Sequence, residues 1–205
     1  HEAAARRGVS LHAYLEAEAA RQKVGEHGLL ALDWWNGNRS TLMDAELSGL
    51  LIGMTLATRA PHIYRALIEA TAFGTRAIIE AFEAGGIAVQ TLVAAGGLAE
   101  RNALLRQIYA DVTGRPLELG GSAHASALGS AIYAAVAAGI YPNLEAAAAR
   151  MGKRKAEIVR PIPENQRLYA QLYQDYKALY DGFGRGGNAV MKRLRQLRQR
   201  AQTQT

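Results

Sequence analysis

Cysteine is absent from this 205-residue chain, and its absence excludes two kinds of architecture. A chain without thiols has no disulfide framework and no thiolate metal site. The five histidines lack the spacing of metal ligands, so we expect no metal site within the chain. A cysteine-free sequence fits a reducing compartment, and we expect the protein to work in the cytoplasm.

Long apolar runs are missing as well, although 49% of the residues are hydrophobic. No run approaches the roughly 18 residues that a bilayer-spanning helix needs, so we expect a buried core and no membrane partner. The first 22 residues have neither an initiator Met nor the apolar centre of a signal peptide. They are typical of a helix from the middle of a longer protein, and we therefore expect the chain to be a fragment.

Positive charge is concentrated at one end of the chain. Residues 182–205 hold six of the 24 basic residues and none of the 18 acidic ones, so the remainder is neutral and the tail carries the whole net charge of +6. The basic pI describes this tail, and we do not expect nucleic acid as a partner. The tail could form an amphipathic helix with Val190, Leu194 and Leu197 on one stripe. A solvated appendage is the simpler interpretation.

Helical and strand patterns alternate along the rest of the chain. Apolar runs predict strands at 28–35, 48–58, 87–95 and 115–119. Three- and four-residue periodicity, with capping residues, predicts helices at 10–22, 61–84, 100–113, 122–139, 143–150 and 164–180. This alternation predicts an α/β layer architecture with partly parallel strands.

An aromatic stripe marks the helix predicted at 164–180. Its members recur at helical spacing, which is typical of packing against a core: Tyr169, Leu172, Tyr173, Tyr176 and Tyr180. We therefore interpret the stripe as buried and not as a ligand site.

The stretch LVAAGGLAERNALL, residues 92–105, places Gly96 and Gly97 between an apolar run and a helix-forming run. Glycine costs backbone entropy, so a pair at the end of a strand usually has a geometric purpose. One purpose is a tight turn. The other is to let a flat ligand lie against bare backbone in the crevice beyond the carboxyl end of the strand. Neither a G-x-G-x-x-G motif nor a Walker-type phosphate loop occurs in the chain.

Several longer motifs resemble the carboxyl-terminal domain of the FGGY carbohydrate kinases. They are AAGGLAERNALLRQIYADVTGRPLEL, then ASALGSAIYAAVAAG, and upstream LDWWNGNRSTLMDAELSGLLIGMTLATRA, which is most similar to the L-ribulokinase branch. The resemblance implies an actin-like/Hsp70-like ATPase fold of the ribonuclease H-like kind, with a mixed sheet flanked by helices. It divides the chain into a helical segment at 1–27, a nucleotide-binding domain at 28–181 and the basic tail at 182–205.

The resemblance also implies a set of nucleotide-binding residues: Gly96, Gly97, Arg101 and Asn102. The two glycines would line the adenine, and Arg101 occupies a position where family members place a polar residue near the base. Asn102 would either contact the ligand or form a hydrogen bond at the start of a helix. Asp33, Asn36 and Arg39 match a family loop near the interdomain cleft, although turn formation with a salt bridge is the simpler explanation for them.

The family's catalytic Asp, its Gly-Thr phosphate loop and its sugar contacts would all lie upstream of this chain. The resemblance thus implies the carboxyl-terminal lobe of a kinase that uses ATP and Mg²⁺ to phosphorylate a ketopentose, L-ribulose first, together with a missing amino-terminal lobe. Two alternatives stay open: a sister kinase for another sugar, and an actin-like nucleotide-binding module for regulation or assembly. A homodimer is compatible with the sequence, which does not determine the number of subunits.

Overall fold

The structure, a computed structural model, describes residues 1–122 and 124–203. The chain divides into two compact units. The discontinuous unit comprises His1–Val89 and Ile162–Thr205, and the inserted unit comprises Gln90–Pro161.

The described elements alternate between helices and short strands. In chain order they are α1 Glu2–Arg6, α2 Leu11–Ala20, β1 Leu30–Leu32, β2 Leu50–Ile52, α3 Ala60–Ala84, β3 Leu92–Ala94, α4 Gly97–Arg101, α5 Ala103–Thr113, β4 Leu117–Gly120, α6 Ala125–Ala137, α7 Leu144–Met151, β5 Arg154–Val159, α8 Pro163–Gly184 and α9 Val190–Thr203. Strands β1 and β2 form an antiparallel pair in the discontinuous unit. The inserted unit has a three-stranded sheet in the order β3-β4-β5, with β3 parallel to β4 and β5 antiparallel to it.

Helix boundaries follow the capping signals of the sequence. The Ser10 hydroxyl accepts a hydrogen bond from the Ala13 amide at the start of α2, and Asn143 caps α7 in the same way. Pro61 lies in the first turn of α3, and Gly85 ends that helix. These predictions are confirmed, because a cap depends only on a few neighbouring residues.

Strands are shorter than predicted, and one was missed. The runs at 28–35 and 48–58 pair over three residues each. Gly28 and Gly53 both have positive φ, and a Cβ on Gly53 would lie 2.1 Å from the Gly28 carbonyl oxygen. The segment before β1 and the segment after β2 therefore pass each other closely at these two glycines. The unpredicted strand β5 is an edge strand with mostly exposed side chains, and it therefore lacks an apolar alternation.

Four tyrosines of α8 form the centre of the discontinuous unit: Tyr169, Tyr173, Tyr176 and Tyr180. The first three pack around Phe73 of α3, with ring centroids 5.3–6.0 Å apart, and Tyr180 meets Trp34 edge to face at 5.3 Å. Each buried hydroxyl finds a partner on another element: Glu69, Glu80, Asp33 and Thr41, respectively. The predicted role of the stripe in core packing is thereby confirmed.

A buried ion pair ties the same unit together. The Arg65 Nε lies 2.8 Å from Glu69 Oε1, and both side chains are at most 5% exposed. Arg65 also donates to the Ala19 carbonyl at 3.1 Å, and Tyr169 donates its hydroxyl to Glu69 at 2.7 Å. His27 lies 3.0 Å from the second oxygen of Glu69. The pair thus connects α2, α3, α8 and the segment that precedes β1.

The basic tail is a helix, α9, packed on the body of the discontinuous unit. Met191 is buried, Lys192 lies 2.6 Å from the Asp44 carboxylate, and Arg195 donates a hydrogen bond to the Ala45 carbonyl. Leu194 and Leu197 are about 60% exposed. The tail is therefore not the solvated appendage that was expected, since Lys192 and Arg195 have specific partners in the loop before β2 and Met191 is buried.

Within the described residues, no helix combines the length and the hydropathy needed to cross a bilayer.

The Glu69 network predicts sensitivity to acid. Burial would raise the pKa of Glu69, but the hydrogen bond with His27 and the charge of Arg65 outweigh it and hold the pKa below its usual value. A lowered pKa stabilises the fold at pH values above the unfolded pKa of about 4.3, and this stabilisation is lost as the pH falls through the folded pKa. We expect Glu69→Gln to lower stability at pH 7 by about 3 kcal/mol, because Arg65 stays buried without its counter-charge.

Thermal denaturation of the full-length protein between pH 7 and pH 3 checks this expectation. The variant should also show a weaker loss of stability in acid than the wild type. The matched control is Asp181→Asn, which removes the exposed pair Arg185–Asp181 at the same i, i+4 spacing and should cost below about 1 kcal/mol. Equal effects of the two substitutions would contradict a special role for Glu69.

Candidate functional site

The glycine pair lies at the carboxyl end of a parallel strand. Strand β3 pairs with β4 in parallel, with Ala94 opposite Leu119, and α4 and α5 form the crossover between them. Gly96 and Gly97 follow β3 after Ala95, and β4 ends at Gly120, with Gly121 next, on the same edge of the sheet. Crevices beyond the carboxyl ends of parallel strands are the usual ligand sites of α/β folds.

Gly96 adopts a backbone conformation that only glycine tolerates. Its φ of 97° and ψ of 162° lie in a region that a Cβ makes inaccessible. No heavy atom lies within 4 Å of the position that a Cβ would take, so the bare backbone faces open space. The need for glycine here comes from the backbone turn itself, and the open space leaves room for a ligand.

Gly97 begins α4 and is covered by one side chain. The Arg101 Nε donates to the Gly97 carbonyl at 3.0 Å, and a Cβ on Gly97 would lie 2.6 Å from the Arg101 Nη2. The sequence interpretation placed the helix start at Glu100. The helix in fact begins three residues earlier and breaks at Asn102, so Gly96, Gly97 and Arg101 occupy a single turn.

Asn102 separates α4 from α5. Its Oδ1 accepts a hydrogen bond from the Leu105 amide at 2.8 Å, and the residue is only 4% exposed. This arrangement is an N-cap for α5. Of the two roles left open by the sequence, the structure shows the helix-start hydrogen bond.

Sequence reasoning missed the side chains that hold α4 in place. Arg106 donates to the Ala99 and Glu100 carbonyls at 3.0 Å each, which satisfies the end of that short helix. Arg106 also pairs with Glu157 at 3.2 Å, and Lys155 pairs with Glu100 at 3.0 Å. Both of these partners come from β5, about 50 residues away, so no local signal pointed to them.

Asp33, Asn36 and Arg39 belong to the discontinuous unit. The Tyr176 hydroxyl lies 3.5 Å from Asp33, whose carboxylate packs against Gly74 of α3. Burial raises the pKa of Asp33 above its usual value, and hydrogen bonds from its backbone and Tyr176 oppose that shift. Asn36 and Arg39 are exposed, and within the described residues Arg39 forms no ion pair. The salt bridge expected in this loop is therefore not formed by Arg39 within the described residues.

Residues 1–122 and 124–203 contain no group of three or more His, Asp or Glu side chains that could hold a metal ion. Mg²⁺ beside a nucleotide usually takes one or two carboxylates together with phosphate oxygens and waters, so the described residues supply at most part of its coordination.

Residues 2–138 match the family model described as the C-terminal domain of the FGGY family of carbohydrate kinases. The match covers most of the chain, and the chain belongs to this family. Within this family, the chain is similar to ribulokinases over nearly its whole length. The ribulokinase of Geobacillus thermodenitrificans is 54% identical over 204 residues, and that of Mycolicibacterium smegmatis is 55% identical over 199. These alignments cover 98% and 97% of the chain but 36% and 35% of the relatives.

Solved structures show the same fold. The xylulose kinase of Rhodospirillum rubrum superimposes with a TM-score of 0.69 at 32% identity, covering 82% of this chain and 33% of that one. A ligand-bound xylulose kinase from Lactobacillus acidophilus gives 0.70 at 20% identity, covering 82% and 34%. The predicted FGGY resemblance and actin-like α/β fold class are confirmed. The chain spans about a third of the length of the curated relatives it matches.

Asn102 provides a test that separates capping from ligand contact. Asn102→Ala should lower stability by about 1 kcal/mol, because the Leu105 amide loses its acceptor, and Asn102→Ser should restore most of that loss. Thermal denaturation of the full-length protein measures both variants. A calorimetric titration with ATP accompanies it, and an affinity lost equally in the Ala and Ser variants would contradict a role limited to capping.

Proposed function

We propose that the whole protein is an ATP-dependent sugar kinase whose substrate is a ketopentose, L-ribulose, and that this chain is the lobe that holds adenosine. Identity of 54–55% to ribulokinases over nearly the entire chain supports the choice of substrate. The amino-terminal lobe, which the relatives' extra length accommodates, would supply the catalytic Asp, the phosphate loop and the sugar contacts.

The observation that carries the nucleotide assignment is the conformation of Gly96. A Gly-only backbone region at a strand end is costly, on the order of 1–3 kcal/mol for another residue, and such positions cluster at ligand sites. The open space beside Gly96 would admit the edge or face of a purine without a Cβ in the way. Gly120 and Gly121 lie at the same sheet edge, where Ala95 and Lys153 cover the positions that their Cβ atoms would take.

Arg101 would complete the adenosine pocket. It is exposed, it is fixed to Gly97 by one hydrogen bond, and its planar guanidinium is suited to stacking on an aromatic base. Asn102 would act indirectly by setting where α5 begins, and Arg106 by holding the carbonyls of α4. The chain's own residues would therefore bind and orient adenosine and leave proton transfer to the other lobe.

Mg²⁺ would neutralise charge on the transferring phosphates, which is where phosphoryl transfer needs it. We assign its ligands to the phosphates of ATP, together with one or two carboxylates of the amino-terminal lobe.

A coupled assay for ADP formation across a panel of sugars tests this proposal. The full-length protein should turn over L-ribulose faster than other pentuloses, and the 205-residue chain alone should show no turnover. A preference for a different sugar would replace L-ribulose but keep the reaction class. ATP binding without turnover of any sugar would favour the actin-like module instead.

Substitution of Gly97 tests the adenosine pocket. A Val at this position would push against Arg101, and because that contact is the far end of a flexible side chain, the fold should survive. We expect Gly97→Val to weaken ATP binding by 1–3 kcal/mol, about 5- to 150-fold, through steric overlap and displacement of Arg101. Calorimetric titration of the full-length variant measures this loss.

The matched control is Gly182→Val on α8, where an added Cβ meets no atom within 4 Å. It should leave ATP affinity unchanged. Unaltered affinity in the Gly97 variant would remove that residue from the pocket and favour a role in the turn alone.

A further inference from the structure

A cleft lies in the discontinuous unit, whereas the glycine pair belongs to the inserted unit. It is bordered by the loop that follows β1 and by α9, and its volume is about 240 Å³. This is smaller than a typical drug-sized pocket, so a small molecule fits it better than a peptide segment. Its principal lining side chains are Trp35, Asn36, Ser48, Leu194, Arg195 and Arg198.

The charge in this cleft is of one sign. Arg195 and Arg198 both line it, and its described lining includes no carboxylate. On the loop, Asp44 pairs with Lys192 at 2.6 Å, and Glu46 is exposed next to the lining residue Leu47. Among the described residues, Arg195 donates to the Ala45 carbonyl, and neither Arg195 nor Arg198 has an ion-pair partner. Two permanently charged guanidinium groups thus share a concave site without a counter-charge.

The aromatic wall of the cleft is rigidly seated. A Cβ on Gly49 would lie 2.0 Å from the Trp35 ring, so one face of the indole rests against bare backbone. Trp35 is nevertheless 55% exposed, whereas its neighbour Trp34 is 2% exposed. The loop around it is closed by reciprocal backbone hydrogen bonds between Asn38 and Asp44, at 2.8 and 2.9 Å. The ring is therefore held in place with its other side open.

We propose that this cleft binds a small phosphate ester of a polyhydroxy compound. Paired guanidinium groups match the geometry of phosphate oxygens and favour that anion over a neutral ligand. Asn36 and Ser48 supply hydrogen-bonding groups for hydroxyls, and the open side of Trp35 supplies an apolar surface for carbon-bound hydrogens. The site is independent of the adenosine pocket, and its occupation does not depend on the function proposed above.

Site-specific chemical protection tests the proposal in the full-length protein. Phenylglyoxal modifies accessible arginines, and peptide mass spectrometry reports the rate at each one. Ribose 5-phosphate should slow modification of Arg195 and Arg198, by about threefold at a concentration twice its Kd. Inorganic phosphate should protect them less strongly, and D-ribose should not protect them. Arg200, exposed on the same helix and outside the cleft, is the internal control and should react at one rate throughout.

Trp35→Ala separates the two halves of the ligand. This variant should keep protection by inorganic phosphate and lose the additional protection by ribose 5-phosphate. Equal protection of Arg200 would show a non-specific anion effect and overturn the site. Modification rates at Arg198 that neither phosphate compound changes would also overturn the site. An Arg198 that resists modification before any ligand is added would overturn it as well, because another part of the protein would then cover the cleft. Protection by inorganic phosphate and ribose 5-phosphate to the same extent would overturn the assignment of a phosphate ester.

Discussion

The buried pair of Arg65 and Glu69 is the interaction on which the discontinuous unit depends. A buried charge is tolerated only when its partners are complete, and here each partner comes from a different part of the chain. The Leu29 amide donates to Nδ1 of His27 at 3.0 Å, so the proton lies on Nε2 and points to Glu69. Tyr169 reaches the same carboxylate from α8, about 100 residues away. The pair therefore joins the two segments of this unit, which the inserted unit separates in sequence.

The inserted unit follows a different principle, because its candidate site is formed by backbone. Gly96 supplies a conformation, and Gly97 supplies the carbonyl to which the Arg101 side chain donates a hydrogen bond. Arg101 therefore covers Gly97 and leaves Gly96 open. A backbone site changes little with the identity of surrounding side chains, provided that the short helix α4 stays in place. Arg106 and the β5 residues Glu157 and Lys155 hold that helix by its carbonyls and charges.

The carboxyl-terminal helix shows how a charged segment acquires structure without a core of its own. Among the described residues of α9, Met191 is buried, Lys192 forms an ion pair with Asp44, and Arg195 donates a hydrogen bond to the Ala45 carbonyl. These contacts hold the loop that carries Trp35 and Asn36, and they leave Arg195 and Arg198 facing a shared cleft. Composition alone showed an excess of positive charge in this segment, and the geometry shows where that charge is directed.

The sequence by itself determined the features that depend on near neighbours. Caps such as Ser10, the periodicity of α3 and the tyrosine stripe of α8 are local features. Two adjacent glycines at the end of a strand likewise predicted an unusual backbone conformation. Tertiary structure decided the rest. The length of β1 and β2 depends on how closely Gly28 and Gly53 pass, β5 exists only because β4 offers it an edge, and the partners of Arg106 lie far along the chain. Strand pairing and ion pairs between distant residues are set by packing in space, and their energies do not appear in any short stretch of sequence.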